Sequence, residues 1–323
     1  MTKVSRPGLA SNPPAIDALR LPLPALEALM VVAWSSGFVG MRFSTDYAPM
    51  FLVVLWRCAV ISICLLPFVL REIIGAPPSV VARQAAIGLF ALAGYIAGVG
   101  KGIELGVSAG LCALIANLLP VGTVVISSLV LRERNSGRTW AGMALGLAGA
   151  IMVSHDALTL GSAPRWAYAL PVAGMMSLAV ATVWQQRTAS RTGSLSLLCT
   201  LWIHCVVSCL VFFCLQRSQG SVMPIATTGF AASVCWTAVI STLGGYGLYW
   251  VCLRRSSPAR VSSVLFLSPS VTFVWAWALF GEPLSWPMLG GTIVSGLGIV
   301  VMTRRPRGST TLKPPTFRAA STQ

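Results

Sequence analysis

Residues 106–154 and 256–303 of this chain read as one apolar segment written twice, and the second copy has lost its positive charges. Each copy runs as an apolar helix interrupted by a proline, then a glutamate turn, then a glycine-rich helix. A shift of 149 positions, without a gap, places Pro120 on Pro269, Glu133 on Glu282, Gly142 on Gly291 and Gly149 on Gly298. The first turn carries Arg132, Arg134 and Arg138. The second, Gly281-Glu282-Pro283-Leu284-Ser285-Trp286, carries no Lys or Arg. Basic loops of membrane proteins stay on the cytoplasmic side, so the two copies are expected to cross the bilayer in opposite senses.

Composition demands a bilayer. The 323 residues are 55% hydrophobic and 10% charged, with a mean hydropathy of +0.79. That lies outside the range of soluble globular domains. Ten apolar runs have the length needed to cross a ~30 Å hydrocarbon core: 25–43, 49–70, 81–100, 108–131, 138–154, 166–186, 195–215, 228–252, 258–280 and 287–303. With the N-terminus in the cytoplasm, 18 Lys and Arg fall inside and four outside (Arg42, Lys101, Arg165 and Arg217), while Arg57 lies within the second span. The +15 charge is therefore a topology signal, and no nucleic-acid partner is expected.

The expected fold is an all-α polytopic membrane protein of ten transmembrane helices. It divides into two inverted five-helix repeats, 25–155 and 166–304, between disordered cytoplasmic tails at 1–24 and 305–323. Five is odd, so the second set of five must be inverted, an architecture common among secondary transporters. The N-terminal stretch is Pro-rich and polar, unlike a cleavable signal, and the first span is expected to act as an uncleaved insertion signal.

Weaker echoes run through both halves in the same order. Trp34–Arg42 matches Ala179–Arg187, Leu55-Trp56 with Ser62 matches Leu201-Trp202 with Ser208, and Gly94-Tyr95 matches Gly245-Tyr246. With Ala33-Trp34-Ser35-Ser36-Gly37-Phe38, Leu55-Trp56-Arg57 and the two Pro…Glu…Gly…Gly segments, the chain resembles the EamA-type members of the drug/metabolite transporter superfamily. The resemblance covers nearly all of 25–304. It implies two five-helix repeats around a central substrate cavity opened alternately to each side, in a bacterial-type inner membrane. In the related small multidrug-resistance branch, helix 1 carries a buried Glu that binds protons or cations. The similar stretch here keeps Gly37 and Arg42-Phe43-Ser44 but has Trp34 at that position. This departure argues against proton-driven antiport of lipophilic cations.

Several residues are candidates for the transport route. Pro120 and Pro269 each stand 13 residues before their glutamate, ~20 Å along a helix and hence near the bilayer midplane. A proline there frees a carbonyl and bends the helix, as a fixed kink or as a hinge lining a cavity. Arg57, deep in a span, holds an anionic or carboxylate-bearing substrate, or as a structural group snorkels or satisfies broken-helix carbonyls; the resemblance, which includes an Arg at this place among members with different substrates, favours the structural role. His204 is either a hydrogen-bonded core residue or a proton-sensitive group. Trp34, Phe38, Tyr95, Trp184, Tyr246, Tyr249 and Trp250, with Asn117 as a polar point, suit a small, partly apolar metabolite such as an amino acid, or serve as packing and interfacial belt. No Asp or Glu falls in the middle of any span, so flux without strong proton coupling is expected, and any coupling would run through His204.

The partners expected are a small-molecule metabolite and the lipid bilayer. The rows Gly142-x3-Gly146-x2-Gly149 and Gly291-x3-Ser295-x2-Gly298 permit close packing of the fifth and tenth spans within one chain, as a monomer or within a homodimer. An enzyme is not expected. Gly106-Val107-Ser108-Ala109-Gly110 fits the serine-hydrolase pattern but opens an apolar helix without the elbow, acid and histidine that pattern needs. Gly100-Lys101-Gly102 lacks the spacing of a P-loop. Nine cysteines without C-x-x-C spacing, and no H-E-x-x-H, leave no metal site and no cofactor site legible. The rival class is a membrane-embedded sensor or assembly subunit that moves no solute.

Overall fold

The computed structural model describes residues 21–131, 136–160, 163–189, 195–255, 261, 264–265 and 267–303. Both expected tails lie almost wholly outside the described residues, as do Arg132, Glu133 and Arg134. Among the described residues the chain is helical throughout, without a strand.

Prolines and short hydroxyl side chains set where the helices begin. Helix α1 (Leu23–Ser44) follows Pro22, and α2 (Met50–Gly75) follows Pro49. Helix α3 spans Pro78–Glu104, opening on Pro78, whose missing N–H costs nothing in a first turn. It stops before Gly106, whose φ of 96° is open to glycine at little cost. Its middle turn, Leu89–Gly94, is π-helical, so α3 is longer than the expected span 81–100. Helix α4 is broken: Ala109–Asn117 and Leu119–Leu131 meet at Leu118 with a bend of 41°. Ser108 caps its start by accepting from the Leu111 N–H at 3.3 Å, a structural use of the serine in the hydrolase-like pattern.

Helix α5 is Gly137–Leu160, and α6 (Ala169–Ala189) follows a 3-10 turn at Arg165–Tyr168. Helix α7 (Leu197–Gln219) is capped by Ser196. Helix α8 runs from Thr228 through a π segment at Trp236–Gly244 to Arg255. Helix α9 (Ser268–Phe280) ends at Gly281 with φ 64°, and α10 is Trp286–Thr303. Six of these helices are long and apolar enough to cross a membrane, and the bent pair in α4 would make a seventh.

Packing depends on backbones approaching where glycine leaves room. In a bilayer the hydrophobic effect does not drive helices together, so close van der Waals contact must. The most extensive pairing joins α5 to α10, with Gly146, Gly149, Gly291 and Gly298 face to face and the Ser295 hydroxyl donating to the Gly146 carbonyl at 2.6 Å. Helices α2 and α7 form the next seam. There Trp202 donates its indole N–H to the Ser62 carbonyl at 2.9 Å. Helix α3 lies against α6 where Gly98 meets Gly174, and α1 lies against α8. Helix α4 crosses α9 where Gly110 fits under the Phe273 ring.

Candidate functional site

A cavity of about 430 Å³ opens where α1, α3, α4 and α8 converge, with Arg57 of α2, Leu178 of α6 and Leu265 completing the wall. Its location follows from irregular helices. The break in α4 brings Asn117, Leu119 and Pro120 to the wall; the π segment of α3 ends at Gly94, immediately before Tyr95, and that of α8 ends at Gly244, before Gly245-Tyr246, and both tyrosines line the cavity. Such π turns are frequent at functional sites because they displace one residue from the regular helical face. Gly37 makes room for the α8 π segment, since a Cβ there would lie 2.6 Å from the Ser241 hydroxyl.

Of the residues singled out in the sequence, Trp34, Phe38, Arg57, Tyr95, Asn117, Pro120, Tyr246 and Tyr249 all line this cavity. Trp34 is the centre of its aromatic side, with its ring 5.7 Å from Tyr246 and 6.0 Å from Tyr249. The other three lie elsewhere. Trp184 sits on an exposed flank of α6 beside Phe90, because the helical turn that brings Leu178 inward carries it outward. His204 packs over Gly88, at the α3–α7 seam, with its Nε2 buried and without a hydrogen-bond partner among the described residues. Pro269 is buried in the first turn of α9. The side chain of Trp250 lies outside the described residues.

Helix breaks leave backbone groups that neighbouring side chains must satisfy. Asn117 donates its Nδ2 to the Leu265 carbonyl at 3.3 Å. Ser35 donates to the Ser268 carbonyl at 3.2 Å and lies 3.0 Å from its hydroxyl. The polar point expected at Asn117 therefore ties α4 to Leu265, three residues ahead of α9, as well as lining the cavity. Arg57 is not used in this way. It lies seven residues into α2 from Met50, is 7% exposed, and makes no hydrogen bond or ion pair among the described residues. Tyr95 and Tyr246 are within electrostatic range of its guanidinium.

Carboxylates gather at one end of the bundle instead. Glu282 accepts from the Ala109 N–H at 3.1 Å, capping α4, and its other oxygen lies 3.5 Å from Arg42 Nε. Arg42 also pairs with Asp46 at 2.8 Å and covers the Phe280 ring at 4.8 Å. Nearby, Glu104 accepts from the Met50 N–H at 3.1 Å and pairs with Lys101 at 2.6 Å. Anions at helix N-termini are favoured by the exposed N–H groups. These ion pairs lie beside the N-terminal end of α4. The local pairs Arg42–Asp46 and Lys101–Glu104 have helical i,i+4 and i,i+3 spacing in the sequence, whereas the contacts of Glu282 with Ala109 and Arg42 and of Glu104 with Met50 do not follow from spacing.

Burial raises the Glu282 carboxyl above the usual carboxylate range, outweighing the Ala109 N–H and Arg42, which lower it. The folded state thus holds this proton more tightly than the unfolded chain does. Its stabilising contribution is complete below the ordinary pKa of about 4.3 and is lost as pH rises through the raised value. The melting-temperature difference between the wild type and Glu282→Gln, measured from about pH 4 to about pH 7, is expected to move against the wild type with rising pH. A difference that stays flat, or that favours the wild type as pH rises, contradicts this reading.

Long apolar helices converging on a cavity lined by aromatic side chains and one arginine are the arrangement of a multi-pass membrane protein with a small-molecule site. The comparisons agree: the EamA-like transporter family matches twice, over residues 25–155 and 165–304. The chain belongs to that family and is an EamA-type transporter of the drug/metabolite transporter superfamily. It is similar to a protein of Salmonella typhimurium named a probable amino-acid metabolite efflux pump, at 22% identity over 85% of this chain and 93% of the relative. It is also similar to the uncharacterized inner membrane transporter YedA of Escherichia coli, at 27% identity over 82% of this chain and 86% of the relative. A solved crystal structure shares the fold with a TM-score of 0.58 at 18% identity, covering 87% of this chain and 97% of that one.

Proposed function

We propose that the protein moves small organic metabolites, amino acids or related compounds, across the inner membrane by alternating access. Ten spans form two inverted five-helix repeats, with both termini cytoplasmic. The observation that carries this reading is the cavity itself, formed between helices whose pairings exchange under a shift of one half. The α1–α8 contact becomes α6–α3, whereas α2–α7, α4–α9 and α5–α10 return to themselves. Such a pattern supports two halves able to rock against each other around a site near the midplane. The ion-paired end at Arg42 and Glu282 is then the periplasmic seal. A relative named as a metabolite efflux pump supports the substrate class.

The test is solute flux into proteoliposomes over a panel of amino acids and their derivatives, with and without a pH gradient. Saturable flux that ignores the gradient is expected, since His204 stands apart from the cavity and no Asp or Glu lines it among the described residues. The orientation has its own measurement. In a cysteine-free background, an impermeant maleimide applied from outside is expected to label Pro283→Cys and to spare Ser136→Cys. Labelling of both from one side would remove the inversion, and absence of flux across the panel would favour a membrane sensor.

A further inference from the structure

Arg57 is the one cation lining the cavity among the described residues, and no carboxylate lines it. Resting on the transport reading above, we propose that this cavity is a site for organic monocarboxylates carrying a net negative charge. Arg57 anchors the carboxylate, and the wall of Trp34, Tyr246 and Tyr249 receives an apolar body.

An arginine buried at this depth is costly unless it faces a cavity or a partner. Arg57 is 7% exposed and has no hydrogen-bond or ion-pair partner among the described residues. Its planar fork matches a carboxylate with two parallel N–H donors. Tyr95, Tyr246 and Ser241 line the same cavity, and the two tyrosines lie within electrostatic range of the guanidinium. At about 430 Å³ the cavity is the size of a small-molecule site.

The second half of the inference concerns what the cavity lacks. A free amino acid brings an ammonium group as well as a carboxylate. Yet Glu72, Glu104 and Glu282 are engaged in capping helix ends, and Asp46 pairs with Arg42. A zwitterion would leave its ammonium without a counter-ion and the site with its original net charge. A 2-hydroxy acid, 2-oxo acid or N-acyl amino acid neutralises Arg57 and brings no second charge. The site therefore favours the deaminated or N-blocked derivative over the parent amino acid.

Calorimetric titration of the full-length protein in lipid nanodiscs, with 3-phenyllactate, phenylalanine and 3-phenyllactamide as probes, tests this. Phenyllactate is expected to bind at least about tenfold more tightly than phenylalanine, with the neutral amide weakest. Arg57→Gln is expected to erase the preference of acid over amide, and Arg57→Lys to keep part of it. Arg57→Lys retains the charge and decides the matter should Arg57→Gln fail to fold. Equal binding of phenyllactate and phenylalanine, unchanged acid preference in either variant that folds, no binding of any probe, or equal competition by inorganic phosphate would each overturn the proposal. The same preparations in proteoliposomes separate the two readings. Arg57-dependent binding without flux would leave the site standing and remove transport. Flux of amides or amino acids that ignores Arg57 would do the reverse.

Discussion

Gly298→Leu is expected to cost the protein its stable, monodisperse form. A Cβ at Gly298 would fall on the Gly146 nitrogen, 2.6 Å from the Gly142 carbonyl and 2.8 Å from the Gly146 Cα. All three are helix backbone, which cannot swing aside as a side chain does. Forced overpacking typically costs 1–3 kcal/mol, occasionally more, and here it would pry apart the most extensive helix pairing among the described residues. A fall of roughly 10 °C in melting temperature, or loss of the monodisperse peak in detergent, is expected. Gly296→Ala on the same helix is the control, because a Cβ there meets nothing within 4 Å. If both variants behave alike, the backbone contact between α5 and α10 is not what holds these helices.

Trp34→Ala carries the largest expected effect on the cavity. The indole touches two tyrosines of α8 at 5.7 and 6.0 Å. Aromatic pairs of this geometry contribute about 0.5–1.5 kcal/mol each beyond the area they bury. Truncation removes both contacts and the surface against which an apolar substrate body would lie. Apparent affinity in flux is expected to fall roughly 10- to 100-fold, corresponding to about 1.4–2.8 kcal/mol. Preference for a carboxylate over its amide should survive, since that rests on Arg57. Trp34→Phe is expected to recover most of the affinity. Unchanged transport in Trp34→Ala would place the substrate elsewhere, and loss of the acid preference with retained affinity would mean that Trp34 positions Arg57.

Much of this architecture was legible because membranes impose coarse rules. Uninterrupted apolar length announced the helices, and the glycine rows at 142–149 and 291–298 announced the seam that α5 and α10 make. The aromatic set converged on one cavity where a family pattern or a repeat supported it: Trp34 and Phe38 in the first motif, and Tyr95 and Tyr246 as repeat partners. Trp184 lies within the weak echo of the first motif but is not itself a matched residue, and His204 matches nothing; they lie on an outer flank and at a helix seam. A helical wheel cannot tell an inward face from a lipid face when both are apolar. The π segments were invisible for a related reason. One extra residue per turn changes which side chain points inward while leaving hydropathy untouched. The Arg42–Glu282–Ala109 contact joins residues far apart in sequence, and only the tertiary arrangement makes it.

Arg57, the one positive charge in the cavity wall among the described residues, also bears on energetics across the cell membrane. On the proposed reading, each turnover with a monoanionic cargo would carry one net charge through the membrane potential, whichever conformational step moves the guanidinium. At 100 mV, negative inside, that is about 2.3 kcal/mol per ion. This amounts to roughly a 50-fold outside-to-inside ratio at equilibrium. A carrier built this way would need no coupling ion to expel its cargo: the resting voltage of a respiring cell would supply the direction.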